Sequence, residues 1–133
     1  MKILTPRAHG YLDYVVVALL LLAPTLFGFA GVAAALCYIL AALHAGITML
    51  TAFPLGIAKI IPFSAHGSIE AVMAAFLLAS PWLFDFSFIP AARNFFIAAS
   101  VLLAVVWIIT DYRSATSPTL PGTRYGSERR SFS

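Results

Sequence analysis

Apolar residues run almost unbroken through four stretches of the chain, at about 12–30, 32–53, 69–86 and 95–109. The hydrocarbon core of a bilayer is about 30 Å thick, and a helix needs about 20 apolar residues to cross it. The first three stretches meet that length directly. The fourth meets it if its helix starts near Pro90 or Ala91 and ends near Tyr112. A proline suits that start, because the first turn of a helix leaves its N–H groups unpaired anyway. Composition agrees: 62% of the 133 residues are hydrophobic and 10% charged, against about 45–50% and 25% in soluble domains. Five acids and eight bases are too few to coat a water-soluble core. The expected fold is all-α, a four-transmembrane-helix bundle whose main solvent is lipid.

The stretches fall into two copies of one unit. Ala8-His9-Gly10 returns as Ala65-His66-Gly67, 57 residues on. At the same spacing Asp13 meets Glu70, Pro24 meets Pro81, Phe27 meets Phe84 and Phe29 meets Phe86. The ends of the units match at a spacing of 59, with Leu50-Thr51-Ala52-Phe53 against Ile109-Thr110-Asp111-Tyr112. Each unit therefore reads as helix, tight turn, helix, over about 5–53 and 62–112 within a transmembrane domain of 1–112. A unit that crosses twice starts and finishes on one side, so the two are parallel repeats about an axis along the membrane normal. Lys2 and Arg7 ahead of an apolar run would also suit a cleaved leader. Cleavage would leave one and a half units, so the first stretch is read as a permanent helix.

Charge sets the expected direction of insertion. Lys2, Arg7, Lys59, Arg113, Arg124, Arg129 and Arg130 all fall on the side of the termini, and only Arg93, near Asp85, falls on the other. By the positive-inside rule both termini face the cytoplasm. Gly28 and Gly31 can take the left-handed conformation that ends a helix. Pro81 is expected to disturb the last turns of helix 3, and Trp82 suits the headgroup level. The segment 54–62 is apolar but broken by prolines, and is expected to lie along the inner interface with Lys59 reaching for headgroups. From residue 113 to 133 Ser, Thr, Pro, Gly and Arg prevail. That composition builds no core and reads as a disordered basic tail, either an attractor for anionic lipid or simply a topological anchor.

Ser80-Pro81-Trp82-Leu83-Phe84-Asp85-Phe86 resembles the hallmark of SPW-repeat membrane proteins, in which Ser-Pro-Trp is followed by a Gly-Phe turn. The first unit carries a divergent form, Ala23-Pro24-Thr25-Leu26-Phe27-Gly28-Phe29, and the second has Asp85 where the turn glycine is expected. The resemblance covers about residues 5–112. It implies a small integral protein of a bacterial or archaeal inner membrane and no enzymatic activity.

Two pairs of polar residues stand at the start of the odd-numbered helices. His9 with Asp13, and His66 with Glu70, are spaced i, i+4 and so share a helix face. If both faces turn inward, two imidazoles and two carboxylates converge on a site that suits a divalent metal or a proton. Other roles compete: an acid complementing the helix dipole, a histidine capping backbone N–H groups, or a histidine pairing with its own carboxylate. His44 lies about 12 Å into helix 2 at 1.5 Å per residue, with Leu103 at the matching position of the second unit. It is expected to be neutral and bonded within the bundle, with Thr48 one turn along as a candidate partner. Haem is disfavoured, because His9 and His66 read as too shallow to pair with it.

Cys37 is the single cysteine, which excludes an intramolecular disulfide and reads as a small buried hydrophobe. Small residues at 33–35, 41–42, 45–46, 71 and 74–75 let helices approach closely, either within the bundle or between copies. No nucleophile–base pair, phosphate loop or zinc knuckle is present, and the bases lack the interleaved aromatics of nucleic-acid binders. The expected role is therefore non-enzymatic and cofactor-free: a structural or interaction protein in contact with lipid, as a homo-oligomer or beside another membrane protein. The alternative is metal binding or proton translocation through His9, Asp13, His66 and Glu70. Beyond that cluster the deep polar groups of helices 3 and 4 are only Ser80 and Ser100, whereas a transport path needs polar lining across the whole span.

Overall fold

The computed structural model describes residues 2–113. The expected basic tail, from residue 114 on, lies outside them. The described residues form α1 (Pro6–Phe27), α2 (Gly31–Leu50), α3 (Phe63–Leu83) and α4 (Pro90–Ile109). All four are long and apolar enough to cross a membrane, and at 1.5 Å per residue each spans roughly 30 Å. The chain is a multi-pass membrane protein with a helical bundle fold. α1 packs along α2 and α3 along α4, while the two hairpins meet through α1 against α4 and α2 against α3. α1 and α3 are thus diagonal partners across the bundle axis.

The interior is one apolar cluster drawn from all four helices. Leu20, Cys37, Leu77, Phe96 and Leu103 are fully or almost fully buried in it, with the Phe86 and Phe96 rings 4.9 Å apart. Large apolar side chains such as Leu22, Leu26, Val72 and Val101 instead face outward. Such a surface is at home only in lipid.

α1 and α3 begin at Pro6 and Phe63, one to two turns earlier than the apolar runs suggest. The run of hydrophobic residues is interrupted there by His9, Gly10, Asp13, His66, Gly67 and Glu70, yet all six are buried against the bundle. Polar residues that face the interior do not end a helix. At the far ends, α2 and α4 stop at Leu50 and Ile109, before the apolar run 32–53 and the expected limit of Tyr112. Thr51 and Thr110 adopt extended backbone, φ −84° and −83°.

The opposite end is closed by two matched turns. Gly28 has φ 69°, and Phe29 N–H donates to Pro24 O at 3.0 Å. In the second unit Asp85 takes the same left-handed place with φ 55°, and Phe86 N–H donates to Pro81 O at 2.9 Å. Pro81 disturbs less than expected: α3 continues through it to Leu83, and Phe84 N–H closes on Ser80 O at 2.9 Å. Arg93 does not pair with Asp85 but donates to Ser87 O and Asn94 Oδ1, both at 3.2 Å.

The segments leading into α1 and α3 are straps that cross from one unit to the other. Ile3 and Leu4 N–H donate to Ile109 O, both at 2.9 Å. Ile60 and Ile61 N–H donate to Leu50 O at 2.9 and 2.8 Å. Each strap satisfies terminal carbonyls that a helix cannot pair itself, and each is pinned by an isolated bridge, Leu4 to Thr110 and Ile61 to Thr51. The start of each odd helix is thereby locked beside the end of the other unit's even helix. That lock positions the site.

Candidate functional site

His9, Asp13, His66 and Glu70 come together at the end of the bundle that carries the straps. All four are buried, and one ligand atom from each lies within 4.8 Å of every other. His9 Nε2 stands 3.1 Å from Asp13 Oδ1 and 3.3 Å from Glu70 Oε2. His66 Nε2 stands 3.2 Å from Asp13 Oδ2, and the two Nε2 atoms are 3.4 Å apart. The pairing crosses between units: His66 approaches Asp13 of the first repeat, and Glu70 approaches His9.

The tautomers follow from the threonines. Thr110 Oγ1–H donates to Val106 O at 2.6 Å, which leaves its oxygen only acceptor capacity. His9 Nδ1, 2.9 Å away, must then be the donor. Thr51 Oγ1–H donates to Ile47 O at 2.6 Å and accepts from His66 Nδ1 at 2.9 Å in the same way. With Nδ1 held as a donor, each Nε2 points into the space between the carboxylates. It is a lone-pair donor to a cation when the ring is neutral and an N–H donor to a carboxylate when it is charged.

Close packing holds this geometry. A Cβ at Gly10 would lie 2.3 Å from Phe53 Cε2, and one at Gly67 would lie 2.7 Å from Tyr112 Cε1, so glycine is required where each ring crosses its helix. The Tyr112 hydroxyl donates to Glu70 Oε2 at 2.6 Å. Burial, with the Glu70 carboxylate beside it, pushes the Tyr112 phenol well above its ordinary value. It remains a protonated donor throughout the physiological range. Tyr112 also lines a surface cleft of about 620 Å³ with Lys2, Ser64, Gly67, Ser68, Trp107, Asp111 and Arg113, so one phenol separates the cluster from the surface.

Of the competing structural roles, pairing of a histidine with its own carboxylate is present at His9 and Asp13, while the dipole and capping roles are not. Neither α1 nor α3 has an acid in its first turn, so the carboxylates do not serve the helix dipoles. Thr5, not His9, caps α1, its hydroxyl accepting from Ala8 N–H at 3.3 Å, and α3 has no side-chain cap. His9 does meet its own Asp13, but it also meets Glu70 and His66.

His44 and Thr48 differ from expectation together. They do not pair with each other; both turn to Asp13, with Thr48 Oγ1 donating to Oδ2 at 3.4 Å and His44 Nε2 3.6 Å from Oδ1. The His44 and His66 ring centroids are 6.2 Å apart, closer than the sequence depth of His44 suggested. Asp13, one turn deeper than His9, bridges the two levels. Phe53, Phe63 and Tyr112 surround His9 and His66 at ring-centroid distances of 5.3–6.1 Å.

The motif residues of the far end take no part. Ser80 is buried with its hydroxyl on Phe76 O at 2.6 Å, Pro81 is buried, and Trp82 is exposed. Pro24 and Gly28 form the matching turn of the first unit. Thr51, Thr110 and Tyr112 were not singled out by sequence as site residues, although a signal existed: the spacing of 59 already paired the two threonines as a recurrent polar residue at the end of each even helix. Comparison with protein-family models, with curated proteins and with solved structures gives no match to this chain.

Proposed function

We propose that this protein binds a divalent metal ion inside the membrane, using His9, Asp13, His66 and Glu70 as ligands, and that it is a binding protein rather than an enzyme. The observation that carries this reading is the pair of Nε2 atoms facing each other at 3.4 Å, each with its proton held at Nδ1 by a threonine. Two neutral imidazoles facing in this way direct lone pairs at each other, an arrangement that a metal cation between them stabilises. The contacts of 3.1–3.4 Å around them lie in the range of ligand–ligand separations that bonds of about 2.0–2.2 Å to one ion produce. Charge favours the same conclusion: two ionised carboxylates in a low-dielectric interior are costly unless compensated, and one divalent cation neutralises both.

The Thr–His hydrogen bonds are the outer-shell contacts that orient metal-ligating histidines. Translocation across the whole span fits less well. Beyond Asp13 and His44 the interior is lined by Leu20, Cys37, Leu77 and Phe96, and the Ser80 and Ser100 hydroxyls are both bonded to backbone carbonyls. Among the described bases, Lys2, Arg7, Lys59 and Arg113 lie at the end that holds the site, and Arg93 at the other. This supports a site at the cytoplasmic end of the SPW-repeat-like bundle.

Elemental analysis of the full chain purified in detergent, and after loading with a first-row divalent ion, tests the reading. The wild type should hold close to one metal per chain. The His9→Ala/His66→Ala double variant should hold none while keeping its helical circular dichroism. A wild type that takes up no metal under loading overturns it.

A further inference from the structure

Among the described residues, two buried side-chain atoms have no hydrogen-bond partner, His44 Nε2 and Glu70 Oε1, and both border the same cluster. Buried polar atoms are almost always paired, and an orphan is explained by strain, a chemical role, or a bound water or ion. His44 is 2% exposed. At 3.6 Å its Nε2 is beyond hydrogen-bond length from Asp13 Oδ1, and it has no hydrogen-bond partner. Glu70 Oε2 is already engaged by Tyr112 and His9, so Oε1 is the oxygen left over.

From these two orphans we infer that His44 is a fifth protein ligand of the proposed metal, reached across Asp13, and that the site is built for a five- or six-coordinate ion of the iron(II) or manganese(II) class. This inference rests on the metal-binding reading above. Four donors would complete a tetrahedral zinc site. A third imidazole and a spare carboxylate oxygen exceed that number, and mixed imidazole–carboxylate sets of higher coordination suit iron and manganese. His44 stands outside the set of four mutually close donors, and its nearest member is Asp13, the one carboxylate that touches histidines of both units. The duplication also shows that the position is not demanded by packing: the second unit has Leu103 at the equivalent place, 1% exposed in the apolar core. A leucine at 44 is accordingly the substitution most compatible with folding.

Cobalt(II) reports coordination number directly, since its visible absorption is intense when tetrahedral and weak when five- or six-coordinate. Full-length wild type loaded with cobalt(II) should show the weak spectrum. His44→Leu, checked for unchanged helical content, should gain intensity severalfold. Its manganese(II) affinity should fall about tenfold or more, with a smaller change for zinc(II). An intense tetrahedral spectrum in the wild type, or one that His44→Leu leaves unaltered, overturns the role of His44 while leaving the four-ligand site standing. Failure of the wild type to bind cobalt, zinc or manganese overturns both.

Discussion

His9 of the first repeat and Thr110 of the second are joined by a hydrogen bond of 2.9 Å, and Thr51 and His66 repeat the bond in the opposite sense at the same length. The two bonds make the site a product of both units, since neither hairpin alone contains a histidine with its Nδ1 partner. They also link the straps to the chemistry. Leu4 and Ile61, which pin the straps to Thr110 and Thr51, lie five residues ahead of the histidines that those threonines hold.

Replacing Thr51 or Thr110 with valine keeps the shape and removes the acceptor. Each buried Nδ1–H then lacks a partner, at a cost of about 1–3 kcal/mol. The imidazole also loses its fixed tautomer, so metal affinity should drop about 10–100-fold. Competition against a chromophoric chelator measures the second effect and denaturant titration in detergent the first. Equal affinity in wild type and both variants would dissociate the threonines from the site.

Gly10→Ala and Gly67→Ala each introduce a methyl into a ring, at 2.3 Å from Phe53 and 2.7 Å from Tyr112. Overpacking of this kind costs about 1–3 kcal/mol, more than the roughly 1 kcal/mol that alanine contributes to helix propensity. Both variants should unfold at lower temperature than wild type. Gly46→Ala, where nothing lies within 4 Å of the added atom, should be neutral or stabilising and serves as the control.

Tyr112 makes alkaline stability diagnostic. Its phenol is held above its usual value by burial and by Glu70. The folded chain therefore keeps a proton that the unfolded chain loses above about pH 10. The stabilisation is complete below that pH and declines as the pH rises beyond it. Wild type should lose stability between pH 10 and pH 11 more steeply than Tyr112→Phe, as read from thermal midpoints in detergent at about half-unit intervals. Parallel curves would place the hydroxyl in solvent.

The two turns at the far end differ in one residue at a left-handed position. Asp85→Gly relieves a side chain held at φ 55°, and Gly28→Ala imposes one at φ 69°. The first should stabilise by up to about 1 kcal/mol and the second destabilise by about 1–2 kcal/mol. Shifts of the same sign in the two variants would contradict the equivalence of the turns.

The number of helices and the duplicated unit were legible in the residue order, because lipid rewards long apolar runs and a duplication leaves its spacing behind. The four clustered side chains were legible in pairs, because i, i+4 geometry puts His9 with Asp13 and His66 with Glu70 on single helix faces whatever surrounds them. Which faces turned inward, and that the contacts cross from His66 to Asp13 and from His9 to Glu70, depended on the diagonal placement of α1 and α3. His44, Thr51, Thr110 and Tyr112 join the site only through straps and packing between segments distant in the chain. A buried hydrogen bond has no preferred sequence separation, so no local pattern announces it, and only the folded bundle decides which polar groups are left to share one another.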